Sequence, residues 1–129
     1  MSHSSREILI VDDEGTLLKL MSVYLRRLGY TVTAANTVAK AWEHVKRSPG
    51  QFAVVVIDAG MAETGIDDLV LKLLAFHPSL RVVVNSGYPV DMSVLQQAAP
   101  GRAEFLHKPF SPDMLVAALR RMLGPQEEV

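Results

Sequence analysis

The chain contains no cysteine, which excludes a disulfide scaffold, a zinc ribbon and a catalytic thiol. It also lacks an excess of either charge: 13 Lys and Arg stand against 14 Asp and Glu, for a formal net charge of −1. That balance argues against a strongly basic nucleic-acid binder and against an acidic disordered tail, so no direct nucleic-acid partner is expected. Long apolar runs are missing as well. Phe52 to Ile57, as long as any in the chain, is far short of the roughly 20 residues of a membrane helix, and no membrane association is expected. The opening residues, Met1 to Arg6, have no apolar segment of the signal-peptide kind. What is present is 129 residues, 49% of them apolar, enough for one domain with a sizeable core. The expectation is a soluble, cytoplasmic domain over residues 6–124, with residues 1–5 and 125–129 as flexible termini.

Three short runs, Ile8–Val11, Phe52–Ile57 and Val82–Val84, are β-rich and continuous rather than alternating. That pattern suits strands buried on both faces of a parallel sheet. Between and after them the period changes. Leu17, Leu20, Met21, Tyr24, Leu25 and Leu28 form an apolar helical stripe, with Gly29 where a C-cap belongs. Thr31–Ala35 reads as a second strand and Thr37–Arg47 as a second helix, stopped by Ser48-Pro49-Gly50. Ile66–Phe76 reads as a third helix, Asp91–Ala98 as a weaker fourth, and Phe105-Leu106 as a fifth strand. Ser111-Pro112-Asp113 opens a last helix: a Ser N-cap, proline in the first turn, and an acid at the positive dipole end. Five β–α units in strict alternation imply a flavodoxin-like, doubly wound α/β fold, (βα)5. Its five-stranded parallel sheet should have the order 2-1-3-4-5.

In such a sheet ligands bind beyond the carboxyl ends of the strands, where the winding reverses, here between strands 1 and 3. Strand 1 runs into Asp12-Asp13-Glu14 and strand 3 into Asp58, so topology gathers at least three carboxylates. Like charges this close need protonation or a cation, and hard oxygen ligands suit Mg²⁺. Either acidic site alone has a plainer reading, with Asp12 and Asp13 as helix caps and Asp58 as a strand terminus. The other strand ends tip the balance. Strand 4 ends in Asn85-Ser86-Gly87, bringing a hydroxyl and an approachable backbone N–H, and strand 5 leads to Lys108, bringing an ammonium. Together these groups can hold Mg²⁺ and the oxygens of a phosphoryl group.

The segments ILIVDDE (8–14), VVVIDAGM (54–61), VVNSGY (83–88) and FLHKPF (105–110), in this order and spacing, resemble the receiver domain of two-component response regulators, of the chemotaxis-receiver-like kind. The resemblance covers residues 6 to 123. It implies that Asp58 is the phospho-acceptor, that Asp13 ligates Mg²⁺ directly and Asp12 through water, and that the Gly60 carbonyl completes the metal site with Asp58. It also implies that the Ser86 hydroxyl and Lys108 contact the phosphoryl group, with the backbone of Gly60 and Gly87 beside it, and that Ser86 and Phe105 are the switch pair. The phosphoryl donor would be a histidine kinase or a histidine phosphotransfer protein. The readout face would be the fourth helix, fifth strand and fifth helix. The fourth helix offers Val90, Met92, Val94 and Leu95, either as a docking face or as ordinary core contact.

The loop after Asp58 departs from the family pattern. Ala62 stands where a proline is common, and Gly65 comes one position earlier than the usual glycine. Gly60 and Gly65 without the proline should loosen this loop and weaken Mg²⁺ binding. Two other readings compete with a phosphorylated receiver. A degenerate receiver acting only as a binding module would have lost Asp58, Asp13 or Lys108, and all three are present. A Mg²⁺-dependent phosphohydrolase would carry a second acid two residues after its nucleophile, where this chain has Gly60. The chain is therefore read as no enzyme beyond its own phosphorylation and dephosphorylation. His3, His44, His77 and His107 do not cluster, and Trp42 reads as partial packing. Seven of the 14 acids (Asp12, Asp13, Glu14, Asp58, Glu63, Asp67 and Asp68) fall in two short segments, so a near-neutral total conceals a negative rim.

Overall fold

A computed structural model describes residues 7–48, 50–62 and 65–124. The expected flexible termini, and Glu63 of the second acidic segment, lie outside the described residues. Strands β1 (Glu7–Val11), β2 (Thr31–Ala35), β3 (Phe52–Asp58), β4 (Arg81–Ser86) and β5 (Ala103–His107) alternate with helices α1 (Gly15–Arg27), α2 (Val38–Arg47), α3 (Ile66–Phe76), α4 (Ser93–Ala98) and α5 (Pro112–Leu123). The sheet is parallel with the order β2-β1-β3-β4-β5, as the alternation of elements predicts.

Residue alternation along the strands divides the core in two. Leu9, Val11, Val55, Ile57, Val82 and Val84 pack beneath α2, α3 and α4 with Ala41, Val45, Leu69, Leu73 and Leu95. Ile8, Ile10, Val54, Val56, Val83 and Leu106 pack beneath α1 and α5 with Met21, Leu25, Leu115 and Leu119. With both faces covered, β1 and the middle of β3 and β4 are buried continuously. This is why their sequences show no polar alternation.

Several boundaries differ from the sequence reading. β4 runs through Asn85 and Ser86, the end the sequence indicates, whereas β5 starts at Ala103 rather than Phe105, because parallel pairing extends beyond the apolar pair: Val82 pairs Ala103, and Ser86 pairs His107. α4 begins at Ser93 rather than Asp91. The Asp91 carboxylate instead accepts from the Ser93 backbone N–H at 2.9 Å. This bond, with the Ser93 hydroxyl adding to it, holds the Asp91 carboxyl below its usual range. Leu20 does not belong to the buried stripe of α1, being 63% exposed. It lies about 100° round the helix from Met21, which with Leu25 faces the sheet. Ser22, on the other side of Met21, is buried instead, its hydroxyl satisfied by donating to the Leu18 carbonyl at 2.7 Å. Within α4 the two earlier readings divide by residue: Leu95 is fully buried, whereas Val94 is 48% exposed. Trp42 packs partly against the core, its ring edge-on to Phe76 with centroids 6.0 Å apart.

Candidate functional site

The carboxyl end of the sheet brings the strand-end residues to one rim. Asp12 follows β1, its backbone N–H still donating to Ala35 of β2 at 3.1 Å. That bond continues the ladder one residue past the strand and fixes where the side chain starts. Asp12 is wholly buried, Asp13 is exposed and Asp58 is half-buried. Each offers a carboxylate oxygen, and these oxygens lie within 4.8 Å of one another. Asp12 Oδ1 accepts from the Glu14 backbone N–H at 2.9 Å. It therefore closes the turn into α1 while its second oxygen faces the rim.

Lys108 is anchored by its backbone N–H, which donates to the Ser86 carbonyl at 2.8 Å; the Lys108–Pro109 peptide bond that follows is cis. From there its ammonium reaches Asp12 Oδ2 at 3.1 Å and Asp58 Oδ2 at 3.2 Å. Burial by itself lowers the affinity of this amine for its proton. The hydrogen bonds and charges of Asp12 and Asp58 outweigh that effect and hold its pKa above the ordinary lysine value. A single ammonium thus serves two carboxylates, one of them inaccessible to water, and Asp13 adds a third. An unneutralised negative charge remains, in a set made only of hard oxygen donors. That is the chemistry of a site for a small divalent cation such as Mg²⁺, and the three acids fit one.

After β3 the chain forms a 3₁₀ turn over Ala59–Met61 that the sequence reading does not anticipate. The Gly60 N–H donates to Asp58 Oδ1 at 3.1 Å, and the Ala62 N–H donates to the Ala59 carbonyl at 3.3 Å. Ser86 is buried, and its hydroxyl accepts from the Tyr88 N–H at 3.0 Å. Gly87 is exposed, and a Cβ there would meet nothing within 4 Å, so packing does not demand a glycine. Ser86 and Phe105 both fall on the sheet face under α3 and α4, where Phe105 is half-buried against the core. His107 is exposed, with its ring edge-on to Phe105. An open cleft lined by Asp13, Trp42, Gly60, Met61 and Lys72 adjoins the cluster at Asp13.

Two features escape the sequence reading. One is the double pairing of Lys108, since nothing in a linear sequence says that its ammonium reaches Asp12 as well as Asp58. The other is Asn85. It is 1% exposed, and neither its amide nitrogen nor its amide oxygen has a hydrogen-bond partner among the described residues. An amide left this way costs about 1–3 kcal/mol. The signal was available: a polar residue inside a run otherwise suited to burial on both faces, Val82-Val83-Val84-Asn85.

The sequence pattern of the response regulator receiver domain matches residues 8–120. The chain belongs to this family. Among proteins of known role it is 29% identical over 124 residues to the transcriptional regulatory protein ZraR of Escherichia coli strain K12, covering 96% of this chain and 28% of that protein. It is 31% identical over 123 residues to the sensor kinase CckA of Brucella abortus, covering 95% of this chain and 13% of that protein. The chain thus spans about a quarter or less of the length of these relatives. Among solved structures, a CheY-like receiver domain protein from Methanospirillum hungatei superposes with a TM-score of 0.76 at 24% identity, over 91% of this chain and 92% of that one. The chemotaxis protein CheY4 of Vibrio cholerae gives 0.75 at 21% identity, over 92% and 99%. These structures share the fold. Membership of the family makes the chain a signalling receiver domain rather than an enzyme in the usual sense. Among the described residues no helix is long and apolar enough to cross a membrane.

Proposed function

We propose that this receiver, taken as residues 6–124, accepts a phosphoryl group on Asp58 from a phosphohistidine of a histidine kinase or histidine phosphotransfer protein. The observation that carries this reading is the placement of the Lys108 ammonium 3.1 Å from Asp12 and 3.2 Å from Asp58. A cation is thereby already held where negative charge would develop. A carboxylate oxygen of Asp58 attacks phosphorus, the bond from phosphorus to the donor's imidazole nitrogen breaks, and the imidazole leaves with the electron pair. Lys108 stabilises the charge that spreads over the phosphoryl oxygens. The Gly60 N–H, already bonded to Asp58 Oδ1, orients the acceptor, and Gly87, an exposed residue just past β4, would offer its N–H to the phosphoryl group. Asp12, Asp13, Asp58 and the Gly60 carbonyl would hold Mg²⁺, which when bound supplies charge neutralisation at the transferred group.

The readout follows by population shift. A phosphoryl group on Asp58 favours the state in which the Ser86 hydroxyl turns from the Tyr88 N–H toward it. Phe105, on the same sheet face, occupies the space released, and the surface of α4, β5 and α5 changes. A solved receiver from Burkholderia pseudomallei is described as carrying a phosphorylated aspartic acid and a calcium ion, with a TM-score of 0.72 at 24% identity over 88% of this chain and 65% of that one. It offers a precedent in the same fold.

The test is incubation with acetyl phosphate and Mg²⁺, followed by intact mass and by the fluorescence of Trp42, which lines the same cleft as Asp13 and Gly60. Wild type gains one phosphoryl group and Asp58→Asn gains none. An unmodified wild-type protein would overturn the reading.

A further inference from the structure

We propose that Asn85 is a positioning residue for Lys108, holding its ammonium above β4 while phosphoryl transfer takes place. The inference rests on Asp58 being the acceptor. Lys108 follows β5 and Asp58 ends β3, so their ion pair spans the intervening strand β4. On that strand Asn85 is the register partner of Asp58 on one side and of Leu106 on the other. By alternation with Val83 it falls on the α1 and α5 face, which Leu106, Val56 and Ile10 share. The two residues that continue that alternation on β1 and β3 are Asp12 and Asp58. The single uncharged polar side chain in this row is buried to 1% exposure with both amide atoms unpaired.

A buried polar group left unpaired in one state calls for a partner in another. Lys108 has three N–H donors, two of them directed at Asp12 and Asp58. When the Asp58 oxygen becomes part of an acyl phosphate, the charge that held the ammonium moves outward to the phosphoryl oxygens. The Asn85 carbonyl oxygen then takes the third N–H. Being neutral, it steadies the ammonium without competing for the phosphoryl group as a fourth carboxylate would.

Valine and threonine have nearly the same shape and differ by one hydroxyl, so Asn85→Val and Asn85→Thr separate the polar contact from packing. The maximal rate of phosphorylation by acetyl phosphate should fall about fivefold in Asn85→Val and stay within about twofold of wild type in Asn85→Thr. The half-saturating donor concentration should not change, because a buried residue cannot touch the donor. The ¹⁵N resonance of the Lys108 ammonium, followed in the phosphorylated protein, should differ from wild type in Asn85→Val and not in Asn85→Thr, while the unphosphorylated proteins agree. In urea, Asn85→Val should be at least as stable as wild type. Equal rates and equal resonances in the two variants overturn the inference. So does a Val variant less stable than wild type, which would mean that the amide is already paired inside the core. A wild-type protein that takes no phosphate instead removes the acceptor reading on which all of this stands.

Discussion

Two cations tie the two ends of this sheet, and they differ in what they hold. Arg102, in the turn that enters β5, donates to three neutral carbonyls: Leu74 at 2.9 Å, His77 at 2.8 Å and Leu80 at 3.0 Å. Two of these belong to the closing turn of α3, where the helix dipole favours a positive charge. Lys108, at the other end of β5, holds two carboxylates. The geometric device is the same, one cation gathering acceptors from several elements. Backbone carbonyls do not titrate and cannot be phosphorylated, so the tie at Arg102 is not open to exchange, and at His77 it is doubled by the Leu80 N–H, which donates to the same carbonyl at 3.2 Å. Carboxylates can be claimed by a cation or converted to an acyl phosphate, so the tie at Lys108 can be exchanged. The proposed switch at one end of the sheet would need the other end to stay fixed.

The largest effect should come from breaking the permanent tie. Arg102→Ala removes the guanidinium donors of three carbonyls, of which only His77 keeps another among the described residues, the Leu80 N–H, and should lower stability by about 3 kcal/mol, read from urea unfolding. Arg102→Lys should recover less than half, because an ammonium lacks the planar fork that spans three acceptors. The folded protein should still take phosphate at the wild-type rate. A loss of stability below about 1 kcal/mol would show that solvent replaces these bonds and that the contrast is false.

Lys108→Met should cost less stability, about 2 kcal/mol at neutral pH, since it leaves the buried carboxylate of Asp12 beside two other acids. Phosphorylation should drop by two orders of magnitude or more. The pH dependence follows from the raised pKa of Lys108. A group whose affinity for protons is higher in the folded state contributes its full stability below its unfolded pKa, and loses it as pH rises through the folded one. The difference between wild type and Lys108→Met should therefore be constant from neutral pH to well above 9, and should shrink only beyond the ordinary lysine value of 10.5. A difference that fades between pH 7 and 9 would mean that the ammonium is not held by the two acids.

The exchangeable end was the more legible of the two. Asp12, Asp13, Asp58, Ser86 and Lys108 sit at the ends of apolar runs, and parallel topology alone carries strand ends to one rim. Element type and strand order were readable for the same reason, because continuous apolar strands alternate with amphipathic helices. Arg102 gave no signal, since its partners are main-chain carbonyls 22 to 28 residues away and any sequence supplies carbonyls. Leu20 misled because a stripe drawn from apolar residues ignores which side of the helix meets the sheet. Ser22 was invisible because the bond that satisfies its hydroxyl is to its own helix.

Among the described residues of the loop between Asp58 and α3, none is tied by either cation, and substitutions in it should have smaller effects. Gly65, the residue before α3, has φ 110°, a conformation that costs a side chain about 1–2 kcal/mol. No atom lies within 4 Å of a Cβ placed there. Gly65→Ala should therefore lose about 1 kcal/mol through backbone strain alone. Gly65→Asn should lose about as much, because with ψ at 142° this is not the left-handed helical conformation that asparagine tolerates. Equal stability of Gly65→Ala and wild type would show that the loop relaxes freely.

Ala62→Pro restores the residue common in the family and brings two opposed terms of similar size. Proline restricts the unfolded chain, which favours folding by about 0.4–1 kcal/mol where the native backbone suits it. The φ of Ala62, −87°, is close enough for that term to count. Against it, the Ala62 N–H that bonds to Ala59 at 3.3 Å is lost. In addition, Met61 lies inside the 3₁₀ turn, in the helical region that a following proline disfavours. The second pair should win narrowly, with a net loss of about 0.5 kcal/mol; this reverses the expectation from sequence that the missing proline loosens the loop, because the turn over Ala59–Met61 already uses the Ala62 N–H. Because Gly60 in the same turn donates to Asp58, loosening it should speed hydrogen exchange at the Gly60 amide and raise the apparent Kd for Mg²⁺ about twofold. If Ala62→Pro instead stabilises the protein and tightens Mg²⁺ binding, the 3₁₀ turn is not the conformation that binds the cation. The rim would then be less preorganised on the β3 side than the tie at Lys108 makes it on the other.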